Sequence, residues 1–279
     1  MSKGNVDESS EMIDDIGTKR RSFLASAGIA AFGGVSLPFI GRVEALSVSA
    51  FSAHEIVLVF DVADTLLNIQ ALAPLFARTF GDGKIADEWF GQSILYAESA
   101  TVTGSYLPFG KISQGVFRML AKIHGVTVTS ADVEELGRRL SSLPPHEDVA
   151  EGLDHLKRAG FRMVTLTNTP ANGNAGPLAK AGLGGYFERN FSAEAVKRFK
   201  PAVETYQMVA GQLGLSTSAL CMVAAHPWDL IGAQTAGCAA ALIARADVAA
   251  LPMRSLPMPN VIGKDLIDVA KQLAARSVA

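Results

Sequence analysis

Apolar and polar positions divide most of the chain into short apolar runs and longer amphipathic stretches. The apolar runs are His54–Phe60, Phe161–Leu166, Ala219–Ala225 and Ala239–Ala244. They are rich in β-branched or small residues and nearly free of charge, which predicts buried strands of a parallel sheet. Between them, helical spacing runs over Val149–Ala159, stopped by Gly160, and over Val203–Leu213, stopped near Gly214. Strands alternating with helices of this length predict a doubly wound α/β sheet.

One interval breaks the alternation. From Ile69 to Leu143 there are four helical stretches and no strand: Ile69–Phe80, Ile85–Val102, Phe109–His124 and Ser130–Ser142. Ser130 is the expected N-cap of the last stretch, Val133 lies on its apolar face, and Pro144-Pro145 ends it. An all-helical block set just after the first strand predicts a cap. The division expected is a cap over residues 69–145 and a catalytic core made of 54–68 and 146–279.

The first fifty residues read differently. An acid-rich start is followed by Thr18-Lys19-Arg20-Arg21-Ser22-Phe23-Leu24, then by a weakly apolar, Ala- and Gly-rich segment from Ala25 to Ile40. A basic n-region, an apolar h-region and small residues beyond them make an export signal. Arg20-Arg21 before Phe23-Leu24 resembles a twin-arginine signal, so residues 1–50 are expected to be signal and linker. Val43-Glu44-Ala45 and Val48-Ser49-Ala50 are candidate cleavage sites. The expected partner of this segment is the twin-arginine export machinery, and the expected location is periplasmic or exported.

Composition narrows the function class. Of 279 residues, 49% are hydrophobic and 19% charged, which fits a folded globular chain. A formal net charge of −2 gives no electrostatic case for a nucleic-acid partner. The two cysteines, Cys221 and Cys238, are too few for a disulfide framework and read as buried free thiols.

The candidate chemistry follows the strands, where open α/β sheets bind ligands. Asp61-Val62-Ala63-Asp64-Thr65-Leu66 follows the first, Thr167-Asn168-Thr169-Pro170 the second and His226-Pro227-Trp228-Asp229 the third. Phe199-Lys200-Pro201 lies between the last two, with Tyr206 shortly after. Brought together, these supply a nucleophilic carboxylate, a cation to keep it ionised, and donors for a leaving group. No metal-ligand spacing and no cofactor motif occurs.

Phe60–Leu66, Leu166-Thr167-Asn168, Lys200-Pro201 and Trp228-Asp229, in that order, resemble the haloacid dehalogenase superfamily. Within it they resemble the L-2-haloacid dehalogenase (type II) branch. The resemblance runs from about Glu55 to the C-terminus. It implies a Rossmann-like core, a helical cap, a homodimer and hydrolysis of a small halogenated carboxylic acid to a 2-hydroxy acid. It also implies roles. Asp61 forms an ester with the halogen-bearing carbon. Thr167 holds the substrate carboxylate and Asn168 cradles the halide. Lys200 steadies Asp61, Asp229 anchors Lys200, and Tyr206 and Trp228 line the substrate pocket.

The departures carry information. Phosphatases of the superfamily place a general acid two residues after the nucleophile and a further acid four residues before the Asp229 position. These positions are Ala63 and Ala225 here, which disfavours a Mg²⁺-dependent phosphatase. The usual Tyr-Gly pair is Ala63-Asp64, and the usual Ser and Asn of the last motif are Ala224 and His226. The cap arginine expected after a Trp is Phe90, with Gln92 as a candidate neutral donor. Asp64 and His226 are both additions, and the expectation is that Asp64 orients His226 as general base for ester hydrolysis. His54, His124, His146 and His155 are assigned no role.

Overall fold

The computed structural model describes residues 56–170 and 176–277. The expected export signal lies outside the described residues. Six strands form one sheet: β1 (Val57–Phe60), β2 (Arg162–Thr167), β3 (Arg189–Ser192), β4 (Leu220–Ala224), β5 (Ala239–Ile243) and β6 (Val261–Gly263). Their order is β3-β2-β1-β4-β5-β6, and every neighbouring pair is parallel.

Period-two alternation puts both faces of β1 to use. Leu58 and Phe60 enter one apolar cluster, with Leu153, Leu156 and Leu273. Val57 and Val59 enter the other, with Tyr206, Val209 and Leu242. The edge strands β3 and β6 have no counterpart in the apolar runs. Arg189 and Asn190 are exposed, and β6 has three residues with only two buried, so neither shows a buried-strand pattern.

The core helices are α5 (Val149–Arg158), α6 (Pro177–Lys180), α7 (Val203–Leu213), α8 (Pro227–Thr235) and α9 (Leu266–Ser277). The chain builds outward from β1 through β2 to β3, then returns to β1's other side as β4. That reversal opens a crevice beyond the carboxyl ends of β1, β2 and β4.

The cap helices are α1 (Ala73–Phe80), α2 (Ile85–Thr103), α3 (Phe109–Ile123) and α4 (Ser130–Leu140). Ile69–Leu72 is a separate 3₁₀ turn, because Pro74 cannot donate into a continuous helix. The N-cap of α4 is Thr129, one residue before the expected Ser130. Thr129 is extended, its hydroxyl accepts from the Asp132 N–H, and the Asp132 carboxylate accepts from the Thr129 N–H, a reciprocal capping box. Trp89 is interior cap packing: Phe76 lies 5.6 Å away and the indole N–H donates to Ser113 O at 2.8 Å.

The chain leaves for the cap and returns along adjacent segments. The Asn68 N–H donates to Pro144 O at 2.8 Å and the His146 N–H to Leu66 O at 3.0 Å. Among the described residues, no helix is long and apolar enough to cross a membrane.

Candidate active site

β1 delivers Asp61 to the crevice. Its N–H donates to Val223 O at 3.1 Å, which continues the pairing with β4. The chain then doubles back, with the Leu66 and Leu67 N–H groups both donating to Val62 O at 3.0 Å. The turn passes through Asp64 at φ +60°, a left-handed conformation that Asp tolerates better than most side chains. It brings Thr65 beneath Asp61. The Thr65 hydroxyl donates to Asp61 Oδ2 at 2.7 Å and accepts from the Ala225 N–H at 2.9 Å. Thr65 is a site residue to which the sequence reading gave no role, although its spacing of four from Asp61 was a usable signal.

Lys200 joins the loops. Its ammonium, 1% exposed, donates to Asp61 Oδ1 at 2.8 Å, Asp229 Oδ2 at 2.6 Å and Leu166 O at 3.0 Å. All three of its donors are used. Burial alone would raise the Asp61 carboxyl, but Lys200 and then His226 outweigh it and hold Asp61 well below the usual carboxylate range. Burial alone would lower Lys200, but Asp229 and Asp61 hold it above its usual value. Burial pushes Asp229 upward against the pull of Lys200, with Asp61 adding to the rise.

Asp229 is the anchor. It sits in the first turn of α8, where the helix dipole favours a carboxylate. The Tyr206 hydroxyl donates to Asp229 Oδ1 at 2.6 Å and to its carbonyl at 2.9 Å. Tyr206 is only 1% exposed, so it supports Asp229 from below and does not line the substrate pocket as expected. α8 can lie this close to Lys200 because residue 232 is glycine. A Cβ there would fall 2.6 Å from Pro201 Cβ and collide with the Pro201 carbonyl oxygen.

His226 turns toward the nucleophile. Its Nδ1 is 3.1 Å from Asp61 Oδ2, and an ionised carboxylate only accepts, so Nδ1 carries the proton. The ring lies between Phe90, with centroids 5.4 Å apart, and Trp228, stacked at 5.2 Å. Nε2 is buried with no partner among the described residues. This corrects the expected Asp64–His226 pair. The Asp64 carboxylate approaches His146, with Oδ1 3.6 Å from Nε2, and the same nitrogen lies 3.0 Å from Asp64 O. His146 follows the return from the cap, and nothing local in the sequence reveals that it meets Asp64.

The second-strand loop is also engaged. Thr167 and Thr169 share a hydroxyl contact of 2.9 Å, and Asn168 Oδ1 accepts from the Lys200 N–H at 2.9 Å. Asn168 therefore fixes the backbone that carries Lys200. Beyond His226 opens a cleft of about 470 Å³, walled by Phe90, Ile94, Leu95 and Trp228. Gln92 does not line it. Phe90, Gly91, Ile94, Leu95 and Glu98 do, and residue 92 falls off that face of α2, so Gln92 is not placed as a halide donor. Among the described residues, no three His, Cys, Asp or Glu side chains converge as a metal site.

The chain matches the family model of haloacid dehalogenase-like hydrolases over residues 57–237. It is similar to the (S)-2-haloacid dehalogenase of Pseudomonas sp. (strain YL), 25% identical over 182 residues, covering 64% of this chain and 78% of that protein. It is similar to the (S)-2-haloacid dehalogenase of Xanthobacter autotrophicus, 26% identical over 196 residues, covering 70% and 77%. Its fold is similar to the solved structure of the Xanthobacter autotrophicus L-2-haloacid dehalogenase with chloropropionic acid covalently bound. The TM-score is 0.71 at 22% identity, covering 80% of this chain and 99% of that one.

Proposed function

This chain belongs to the haloacid dehalogenase-like hydrolases, and we propose that it hydrolyses a carbon–halogen bond through an ester on Asp61. The observation that carries this reading is a buried carboxylate kept ionised by Lys200 at 2.8 Å, with Ala63 where a general acid would protonate an alkoxide. A halide leaves without a proton, so the missing acid costs the carbon–halogen cleavage step nothing.

Asp61 Oδ1 accepts one bond, from Lys200, and keeps a lone pair for attack. Its new bond to carbon forms as the carbon–halogen bond breaks, and the halide departs with the electron pair. Water then adds to Cγ of Asp61, and negative charge develops on Oδ2. The Thr65 hydroxyl and the His226 Nδ1–H already point at Oδ2, at 2.7 and 3.1 Å, and stabilise that oxyanion. His226 thus serves as an oxyanion donor and not as the base. Collapse breaks the Cγ–Oδ1 bond, the departing alkoxide takes one water proton and the other goes to solvent, and Asp61 is restored.

The relatives' names point to short 2-haloalkanoic acids, the L-enantiomer first, as the substrates to assay. Asp61 attacks the halogen-bearing carbon, and the cleft beyond His226 receives the rest of the substrate. The Arg20-Arg21 pair supports export by the twin-arginine machinery to the periplasm.

A single turnover in ¹⁸O-water tests the ester. The label should enter the Asp61 carboxylate, read on its peptide by mass, and not the first product molecule. Label found directly in that product would mean water attacks the carbon itself.

A further inference from the structure

The cleft wall and the catalytic lysine are joined through one cap residue. Asp87, Phe90, Ile94 and Glu98 line the cleft from α2, spaced three or four residues apart. Residues so spaced form one stripe along a helix, and Thr101 is the next position on it. Thr101 lies beyond the cleft's lining. Its hydroxyl oxygen accepts from the Phe199 N–H at 2.9 Å.

Phe199 is fully buried and immediately precedes Lys200. The cap also grips its ring: Tyr106 stacks on it at 5.2 Å and Phe109 meets it edge-on at 6.0 Å. Lys197 places its ammonium 4.9 Å over the Tyr106 ring. The next backbone N–H turns to the core. Lys200 donates it to Asn168 Oδ1 at 2.9 Å, and the Lys200 ammonium reaches Asp61 at 2.8 Å. Two consecutive N–H groups are therefore held by different parts of the molecule, first the cap and then the core.

A buried N–H left without an acceptor is costly, so the Thr101 bond resists being given up. Through it, the stripe of α2 that walls the cleft is registered against the residue that steadies the nucleophile. Attack by Asp61 Oδ1 needs the halogen-bearing carbon close and in line, and a misplacement of about 1 Å can cost about 10²-fold. Water attack on the ester depends less on that wall, because Thr65 and His226 both come from the core.

We propose that Thr101 is a positioning residue for the first chemical step, setting the cleft wall of α2 at its working distance from Lys200 and Asp61. This rests on the reading of Asp61 as the attacking group, but one arm of its test requires no turnover.

Thr101→Val keeps the shape of the side chain and removes the acceptor, whereas Thr101→Ser keeps the acceptor. Amide exchange in the full chain is followed by NMR, with the Asp61 N–H, bonded to Val223 O, as internal reference. In Thr101→Val the Phe199 and Lys200 amides should both exchange at least about ten-fold faster while the reference is unchanged. Thr101→Ser should exchange as the wild type does. An unchanged Phe199 amide, or faster exchange at Phe199 without Lys200, overturns the proposal. A uniform rise that includes the reference means general loosening and overturns it equally. If Thr101→Val does not fold, Thr101→Ala, which also lacks the acceptor, takes its place.

The second arm is a single turnover of 2-chloropropionate. Thr101→Val should slow halide release about 10- to 100-fold and leave decay of the Asp61 ester within about two-fold. Thr101→Ser should recover the first step. Equal slowing of both steps, or no recovery with Ser, overturns the proposal. No halide release by the wild-type chain would sink the dehalogenase reading instead, and exchange at Lys200 would still decide whether Thr101 positions it.

Discussion

His226 Nδ1 lies 3.1 Å from Asp61 Oδ2, the same oxygen that the Thr65 hydroxyl reaches at 2.7 Å. Two donors on one carboxylate oxygen leave the other, Oδ1, for Lys200 and for attack. The two oxygens are thereby made unequal before any substrate arrives, which is the kind of preorganisation that ester hydrolysis uses.

Replacing His226 should therefore slow the second step more than the first. His226→Ala is expected to lower ester hydrolysis by about 10²- to 10³-fold, the usual cost of an oxyanion donor. A burst of halide and an adduct on the Asp61 peptide would report it. His226→Asn, which keeps a donor but cannot act as a base, should recover part of the rate; an Asn variant as slow as Ala would instead favour the general-base role.

Lys200→Met should leave Asp61 and Asp229 buried without their shared cation. The expected loss is about 3–5 kcal/mol, read as a lower urea midpoint at neutral pH. Adding Asp229→Leu should recover part of that stability, because one of the two stranded charges is then gone, while activity stays lost.

The lowered Asp61 and the raised Lys200 set the pH range of the pair. Asp61's contribution is fully present above the usual aspartate value of 3.8 and is lost as pH falls through its lower folded value. Lys200's contribution is fully present below its usual 10.5 and is lost as pH rises through its higher folded value. The acid limb of kcat/KM is accordingly expected below the ordinary aspartate range. In Lys200→Met it should move upward.

Gly232→Ala tests the packing beneath the site. The added methyl would press on Pro201 and force α8 away from the Lys200 turn. A loss of about 1–3 kcal/mol is expected, as for other overpacked positions, together with reduced activity from a displaced Asp229. Thermal melting and steady-state rates read the two effects.

Gly152 offers a comparison at a similar contact between α5 and α9, two helices that carry none of the site's side chains. A Cβ there would meet Leu266 at 2.5 Å on α9. Gly152→Ala should lower the melting point while the rate of the remaining folded protein stays unchanged.

Much of the fold was legible along the chain, because buried strands and amphipathic helices are local patterns with periods of two and 3.6. β1, β2, β4, β5 and the four cap helices lie within a few residues of their apolar runs. β3 and β6 were not legible, since an edge strand is held by one neighbour and keeps polar residues outward. Asp61, Lys200 and Asp229 could be picked out because they fall in short motifs whose types and order resemble the haloacid dehalogenase superfamily. Which side chain meets which is a different kind of fact. That His226 faces Asp61, that Asp64 answers His146, that Tyr206 lies under Asp229 and that Glu98 and Trp228 line one cleft all depend on contacts between residues tens of positions apart. Only the folded sheet and the returning cap decide those distances, because hydrogen bonds and ion pairs depend on position in space and not on separation along the chain.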